Sequence, residues 1–185
     1  MPTTINHTLI EETVNSFPRK SHWKFFEVFN LRNEKKRTSY KLISHLKRQA
    51  GVYAWLFPDN LLNQSLRIKL HGPRTSGNVD FLFSSRDLPR LADKRVVMYV
   101  GRASDLYKRI QQHLRPSGRT SFQVGKGLVY CRIAKNKNEA REMLFKHARI
   151  YYTILYGKEN TVNRDLIEAA LYSKYRAPFN VKSEH

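Results

Sequence analysis

RVVMYVGRASDLYKRIQQHLR, residues 95–115, is the stretch that decides the fold. After Arg95, the five residues Val96–Val100 are apolar, β-branched or aromatic and close on Gly101, which reads as a short strand with a glycine stop. Past Gly101 the pattern changes from strand to helix. Ser104 stands where an N-cap belongs, with Asp105 in the first turn. Leu106, Ile110 and Leu114 recur every four residues and predict a helix whose apolar face lies on a sheet. Asp105, Arg109 and His113 keep the same spacing on the adjoining stripe.

GVYAWLF (51–57) is the matching strand upstream, stopped by the turn signal Pro58-Asp59-Asn60. Both runs are too apolar to lie exposed, so they are expected to be neighbours in one sheet. GLVYCRIA (127–134) is the candidate third strand. A long helix is expected over 138–156, with Met143, Leu144, His147, Tyr151 and Ile154 on one side and Gly157 as its stop. A last helix, about 164–175, carries Leu166, Ile167, Ala170 and Leu171 and ends before Pro178. The predicted fold is α/β (α+β): a small, mainly antiparallel three-stranded sheet flanked by helices.

Two further regions surround this frame. Residues 1–50 read as a basic N-terminal arm. It holds an aromatic cluster in HWKFFEVFN (22–30), a solvated basic link in LRNEKKRTS (31–39) and a basic helix in YKLISHLKRQA (40–50) with Leu42, Ile43 and Leu46 on one side. The segment 58–94 is an insertion between the first two strands. Its RIKLHGPRTSGN (67–78) has the glycine, proline and serine of a loop and the charge of a loop facing phosphate. Residues 51–185 then form the main domain.

Lys and Arg number 34 against 15 Asp and Glu, a formal charge of +19. Such an excess costs self-repulsion in the folded state, and a polyanion is its natural partner. No apolar run approaches the roughly 18 residues that cross a bilayer, and no segment joins a basic face to a clean apolar one, so a membrane partner is not expected. Cys131 is the only cysteine, which excludes an internal disulfide or a cysteine metal cage and fits a reducing, cytoplasmic setting. The start of the chain, MPTTINHTLIEE, lacks the form of a signal peptide. His45, His71 and His147 lack zinc spacing. Neither a phosphate-cradling Gly-x-x-x-x-Gly-Lys loop nor a Gly-x-Ser-x-Gly elbow occurs.

Taken in order, these motifs resemble the GIY-YIG nucleases. Gly51-Val52-Tyr53 resembles the first signature and Tyr99-Val100-Gly101 the second, with valine for isoleucine. Arg109 falls ten positions after Tyr99, as the family's arginine does. The family's downstream glutamate falls on Glu168 in LIEAALYSKY, and its terminal asparagine on Asn180 in RAPFN. The resemblance covers 51–57 and 95–180. It implies a metal-dependent phosphodiesterase, an endodeoxyribonuclease using Mg²⁺ (or Mn²⁺), with Tyr53, Tyr99, Arg109, Glu168 and Asn180 in the site. His113 occupies a histidine position found in only some members.

The chemistry stands beside the resemblance. Hydrolysis of a phosphodiester needs a base for water, positive charge beside phosphorus, and help for the leaving 3′-oxygen. Glu168 would hold the hard cation, and Arg109 would clamp phosphate oxygens. Tyr53 would activate the water. A phenol with a pKa near ~10 does so either beside positive charge or by passing its proton to His113. Tyr99 would orient phosphate or water, and Asn180 would fix local geometry. Phosphate contacts are expected from Arg67, Lys69 and Arg74, from Lys35, Lys36 and Arg37, and from Arg102 and Lys108.

Bland readings exist for each residue: strand aromatics for the tyrosines, solvated charge for Arg109, an Arg164 or Tyr172 partner for Glu168, a turn residue for Asn180. Family members serve in restriction, repair, recombination and homing. A stand-alone chain of this plan resembles type II restriction enzymes, and cutting both strands with one site per chain invites a symmetric homodimer. The alternatives are a monomeric structure- or single-strand-specific repair or defence nuclease, and a DNA-binding module whose site is dead.

Overall fold

The 51–57 run becomes one of the two interior strands of the sheet. The computed structural model describes residues 5–19, 21–33, 37–62, 65–70, 79–115 and 123–180, with the backbone alone at 65–70 and 79–85. Strands β1 (Lys24–Glu27), β2 (Gly51–Pro58), β5 (Arg95–Ala103) and β6 (Arg149–Ile154) form an antiparallel sheet in the order β1-β6-β2-β5. Strands β3 (Ser65–Leu70) and β4 (Val79–Ser84) form a separate antiparallel ladder. The helices are α1 (His7–Ser16), α2 (Leu106–Leu114), α3 (Gln123–Tyr130), α4 (Lys137–His147) and α5 (Thr161–Tyr175). The α+β class and the antiparallel sheet flanked by helices agree with the sequence reading. The sheet has four strands rather than three.

Alternation along β2 builds two cores. Tyr53, Trp55 and Phe57 belong to one buried cluster with Leu106, Ile110 and Leu114 of α2, Val124 and Leu128 of α3 and Leu144 of α4. Val52, Ala54 and Leu56 belong to the other, with Phe17, Trp23 and Ile167, Leu171 and Tyr175 of α5. Successive strand residues face opposite sides, so a strand buried on both faces reads as one continuous apolar run, as 51–57 does. Each fully buried side chain of this size is worth about 1.5–3 kcal/mol.

Three sequence expectations are corrected. Residues 127–134 do not form a strand: 123–130 are α3, and the chain then turns through Arg132 at φ 57°. Gly127 is poor for a helix, but a Cβ there would sit 2.5 Å from the Phe179 ring, so tertiary packing selects glycine. The helix expected over 138–156 stops at His147, and the β-branched and aromatic run Arg149–Ile154 is β6. The insertion 58–94 is more than a loop, because β3 and β4 pair from Ser65↔Ser84 to Leu70↔Val79. Two smaller shifts join these. The basic helix at 40–50 is a 3₁₀ turn over Lys41–Leu46, and the cap of α2 is Asp105 rather than Ser104, its side chain accepting from Lys108 N at 3.0 Å.

The first fifty residues contribute the edge strand β1, whose Phe26 is buried, and the buried Val28, Leu31, Ile43 and Leu46. At the other edge Asn180 pairs with β5. Its Oδ1 accepts from Val100 N at 2.6 Å and its Nδ2 donates to Val100 O. One side-chain amide thereby does for the Val100 backbone what a neighbouring strand would do.

Candidate active site

A β-bulge sets the geometry. In the β2–β5 pair, Trp55 faces Tyr99 and Leu56 faces Val97, leaving Met98 as the extra residue. Val96 and Met98 lie in the α2-side core, and strict alternation would send Tyr99 to the opposite face with Val97. The extra residue resets the alternation, so Tyr99 joins Tyr53 in the same core. Their rings lie 6.0 Å apart. Gly101 faces Tyr53 across the pair, and a Cβ there would meet the Tyr53 hydroxyl at 2.5 Å and Tyr99 Cε1 at 2.8 Å. The glycine of the second motif is therefore the space that the first tyrosine occupies.

Helix α2 supplies the polar partners. The Tyr53 hydroxyl lies 2.8 Å from His113 Nε2 and accepts from Arg109 Nε at 3.2 Å. Arg109 Nη1 donates to Gln112 Oε1 at 3.1 Å, and Nη2 to Gln123 Oε1 at 2.8 Å. The Tyr99 hydroxyl donates to the same Gln123 oxygen at 3.1 Å. The His113 ring packs against Tyr99 at 5.0 Å and Trp55 at 5.5 Å between centroids. Residues from β2, β5, α2 and α3 thus meet in one hydrogen-bonded group.

Burial governs its protonation. Tyr53 is 0% exposed and His113 1%. Loss of solvation pushes the Tyr53 phenol well above its ordinary value, with the Tyr99 phenol adding to the effect and Arg109 opposing it. Burial, then the charge of Arg109, holds His113 well below the ordinary 6.5. At neutral pH the pair is a phenol beside a neutral imidazole, and the phenol's natural acceptor is His113 Nε2. Both shifts favour this uncharged pair and oppose transfer of the proton to His113 in the resting arrangement, while the neighbouring charge of Arg109 favours the phenolate. His113 Nδ1 has no hydrogen-bond partner among the described residues.

Glu168 and Arg102 meet on the other face. Arg102 pairs with Val52 across the strands and points to the α5 side, where its Nε lies 2.5 Å from Asp165 Oδ1 and 3.4 Å from Glu168 Oε2. Asp165 was not foreseen, although its place one turn before Glu168 is legible in the sequence. Arg164, the bland partner for Glu168, instead donates to Leu155 O, Gly157 O and Thr161 Oγ1. The two carboxylates offer hard oxygens of the kind Mg²⁺ takes with water completing its shell, and in this structure those oxygens pair with the Arg102 guanidinium. Among the described residues no group of three or more His, Cys, Asp or Glu side chains gathers as for a metal.

Asn180 takes a positioning place, holding β5 at the residue between Tyr99 and Gly101. Lys108 and Arg37 are exposed. Arg67 and Lys69 lie on β3, where the backbone alone is described, while Arg74, Lys35 and Lys36 fall outside the described residues. No helix among the described residues is long and apolar enough to cross a membrane.

Against this geometry, no protein-family model, curated protein or solved structure matches the chain. The functional evidence therefore lies in its own residues. Gln123 is, with Gln112, a member of the group that sequence reasoning missed. It sits outside every motif, and nothing in its spacing from Tyr99 or Arg109 announces the contact.

Proposed function

We propose that this chain is a divalent-cation-dependent endonuclease of the GIY-YIG kind, hydrolysing phosphodiester bonds in DNA. The observation that carries the reading is the Tyr53 hydroxyl held between His113 Nε2 at 2.8 Å and Arg109 Nε at 3.2 Å. A phenol that can pass its proton to a neutral imidazole can take one from water, and a guanidinium beside it supplies the positive charge that a phosphate needs. In the proposed reaction the water's proton passes to Tyr53 as the phenol's proton moves to His113. The water oxygen bonds to phosphorus, and the P–O3′ bond breaks. Arg109 stabilises the charge on the non-bridging oxygens, and Tyr99 orients the phosphate. Glu168, with Asp165, would hold Mg²⁺ or Mn²⁺, which supplies charge neutralisation and assistance to the leaving oxygen.

The formal charge of +19 supports a nucleic-acid partner. Cleavage of both strands from one site per chain calls for a homodimer, as in restriction enzymes. The test is plasmid DNA with Mg²⁺: discrete bands are expected from wild type and none after EDTA. A second reading, a DNA-binding module without catalysis, draws on the Arg102 contacts to Asp165 and Glu168, which hold the proposed cation ligands in ion pairs. Salt-dependent DNA binding with no cleavage in Mg²⁺ or Mn²⁺ would decide for it.

A further inference from the structure

Arg109 joins the interior of the site to its surface. Its Nε reaches the buried Tyr53 hydroxyl, its Nη1 the exposed Gln112, and its Nη2 the half-buried Gln123. The Gln123 oxygen accepts from Arg109 at 2.8 Å and from the Tyr99 hydroxyl at 3.1 Å. A charged donor and a neutral donor thus converge on one uncharged oxygen from different elements, β5 and α2. Donors converging in this way suit an anionic oxygen better than an amide, because charge-assisted hydrogen bonds are roughly twice as strong as neutral ones.

We propose that Gln123 is a built-in mimic of the substrate: its Oε1 occupies the position of a non-bridging phosphate oxygen, and the nucleic-acid backbone displaces it on binding. The identification of the anion as a phosphodiester rests on the nuclease reading. The competition between Gln123 and an oxyanion for Arg109 does not. The closed arrangement has a physical logic. Tyr53 is fully buried and Tyr99 4% exposed in the arrangement in which Gln123 is seated. The glutamine keeps Arg109 and Tyr99 hydrogen-bonded and aimed until a phosphate arrives. It is neutral, so it leaves more readily than a glutamate would, and it stands at the first residue of α3, where the side chain can swing without disturbing the helix core of Val124 and Leu128.

The experiment is calorimetric titration of the whole chain with inorganic phosphate at pH 7.5, without metal or DNA. Gln123→Ala removes the competitor and is expected to bind phosphate about tenfold more tightly than wild type, the worth of one hydrogen bond to a charged group. Gln123→Glu replaces the amide with a carboxylate that pairs with Arg109, and is expected to bind about tenfold more weakly. The gain in Gln123→Ala should vanish when Arg109→Ala is added. Gln123→Met, which keeps the length and loses the acceptor, should repeat the gain and serves if alanine disturbs α3. Equal phosphate affinity in wild type, Gln123→Ala and Gln123→Met would overturn the proposal, as would a gain that survives Arg109→Ala. Neither cleavage nor metal enters this titration, so a failure of the plasmid assay and a failure here remain separate results.

Discussion

Gly101 and Arg102 are consecutive residues of one strand, yet they belong to two different environments. On the α2 side of Gly101, Tyr53, Tyr99, His113, Arg109 and Gln123 share short hydrogen bonds, and the two phenols and the imidazole are buried. On the α5 side, Arg102, Asp165 and Glu168 form ion pairs with Arg102 47% and Asp165 42% exposed. The difference follows from the pleat: neighbours along a strand face opposite ways. It teaches that the proposed proton-transfer group and the proposed cation ligands are mounted on opposite faces of the sheet. The buried side is stiff and sensitive to shape. The exposed side is screened, and its pairs contribute little to stability.

The largest expected effects break or confirm the link between the two faces. Tyr53→Phe should lower single-turnover cleavage by roughly 10²–10⁴-fold, the usual worth of a general base, with DNA affinity in Ca²⁺ nearly unchanged. Glu168→Gln, on the other face, should abolish Mg²⁺-dependent cleavage with the same retention of affinity. If Glu168→Gln cuts at the wild-type rate while Tyr53→Phe does not, the α5 face holds no catalytic cation and the comparison collapses to one site. Arg109→Ala should differ from both, losing affinity as well as rate, because it removes a contact to ground-state phosphate.

Stability separates the faces next. Gly101→Ala pushes a methyl into the Tyr53 hydroxyl and should cost about 1–3 kcal/mol, as overpacking does, with a matching loss of cleavage. Denaturant unfolding of the variant reads the first and plasmid nicking the second. Arg102→Ala, one residue along, should shift stability by less than about 1 kcal/mol because its pairs are half-exposed. A large loss at Arg102 and none at Gly101 would reverse the assignment of rigid and screened sides.

The buried side should also carry a pH signature. His113 is held below its ordinary 6.5 in the folded protein, so as pH falls through about 6.5 the unfolded chain takes a proton that the folded chain refuses. Stability therefore declines on acidification, by at most about 1.4 kcal/mol per pH unit for one such group. Comparing unfolding curves of wild type and His113→Gln between pH 7.5 and 5.5 isolates this contribution, since the shallower slope should belong to the variant. Identical slopes would mean that His113 exchanges protons freely and is not sealed within the site.

The smallest effect concerns the insertion. Arg67→Ala with Lys69→Ala, both on β3, should flatten the salt dependence of DNA binding by about two units on a log–log plot if both touch phosphate. An unchanged slope would move the DNA path away from the β3–β4 ladder and leave the site's phosphate contacts to the α2 face.

By itself the sequence determined the elements whose signals are local. The apolar run at 51–57 is a strand because it is buried on both faces. The period-four apolar residues Leu106, Ile110 and Leu114 make a helix because they line one side. The spacing from Arg109 to His113 puts both on one stripe of that helix. Tertiary structure decided what depends on partners distant in the chain. GLVYCRIA has strand-like residues but becomes helix and turn, because its apolar side chains pack on α4 and its glycine accommodates Phe179. The run 149–154 leaves the expected helix because β1 and β2 offer it two strands to pair with. Tyr99 faces Tyr53 only through the bulge at Met98, and Glu168 lies across the sheet from Tyr53 because α5 buries Ile167 and Leu171 with Val52, Ala54 and Val100 on that face. Local patterns state the periodicity of a segment. They do not state which edge is unpaired, where an extra residue is absorbed, or which glutamine will stand opposite an arginine, because those outcomes are set by contacts between segments far apart in sequence.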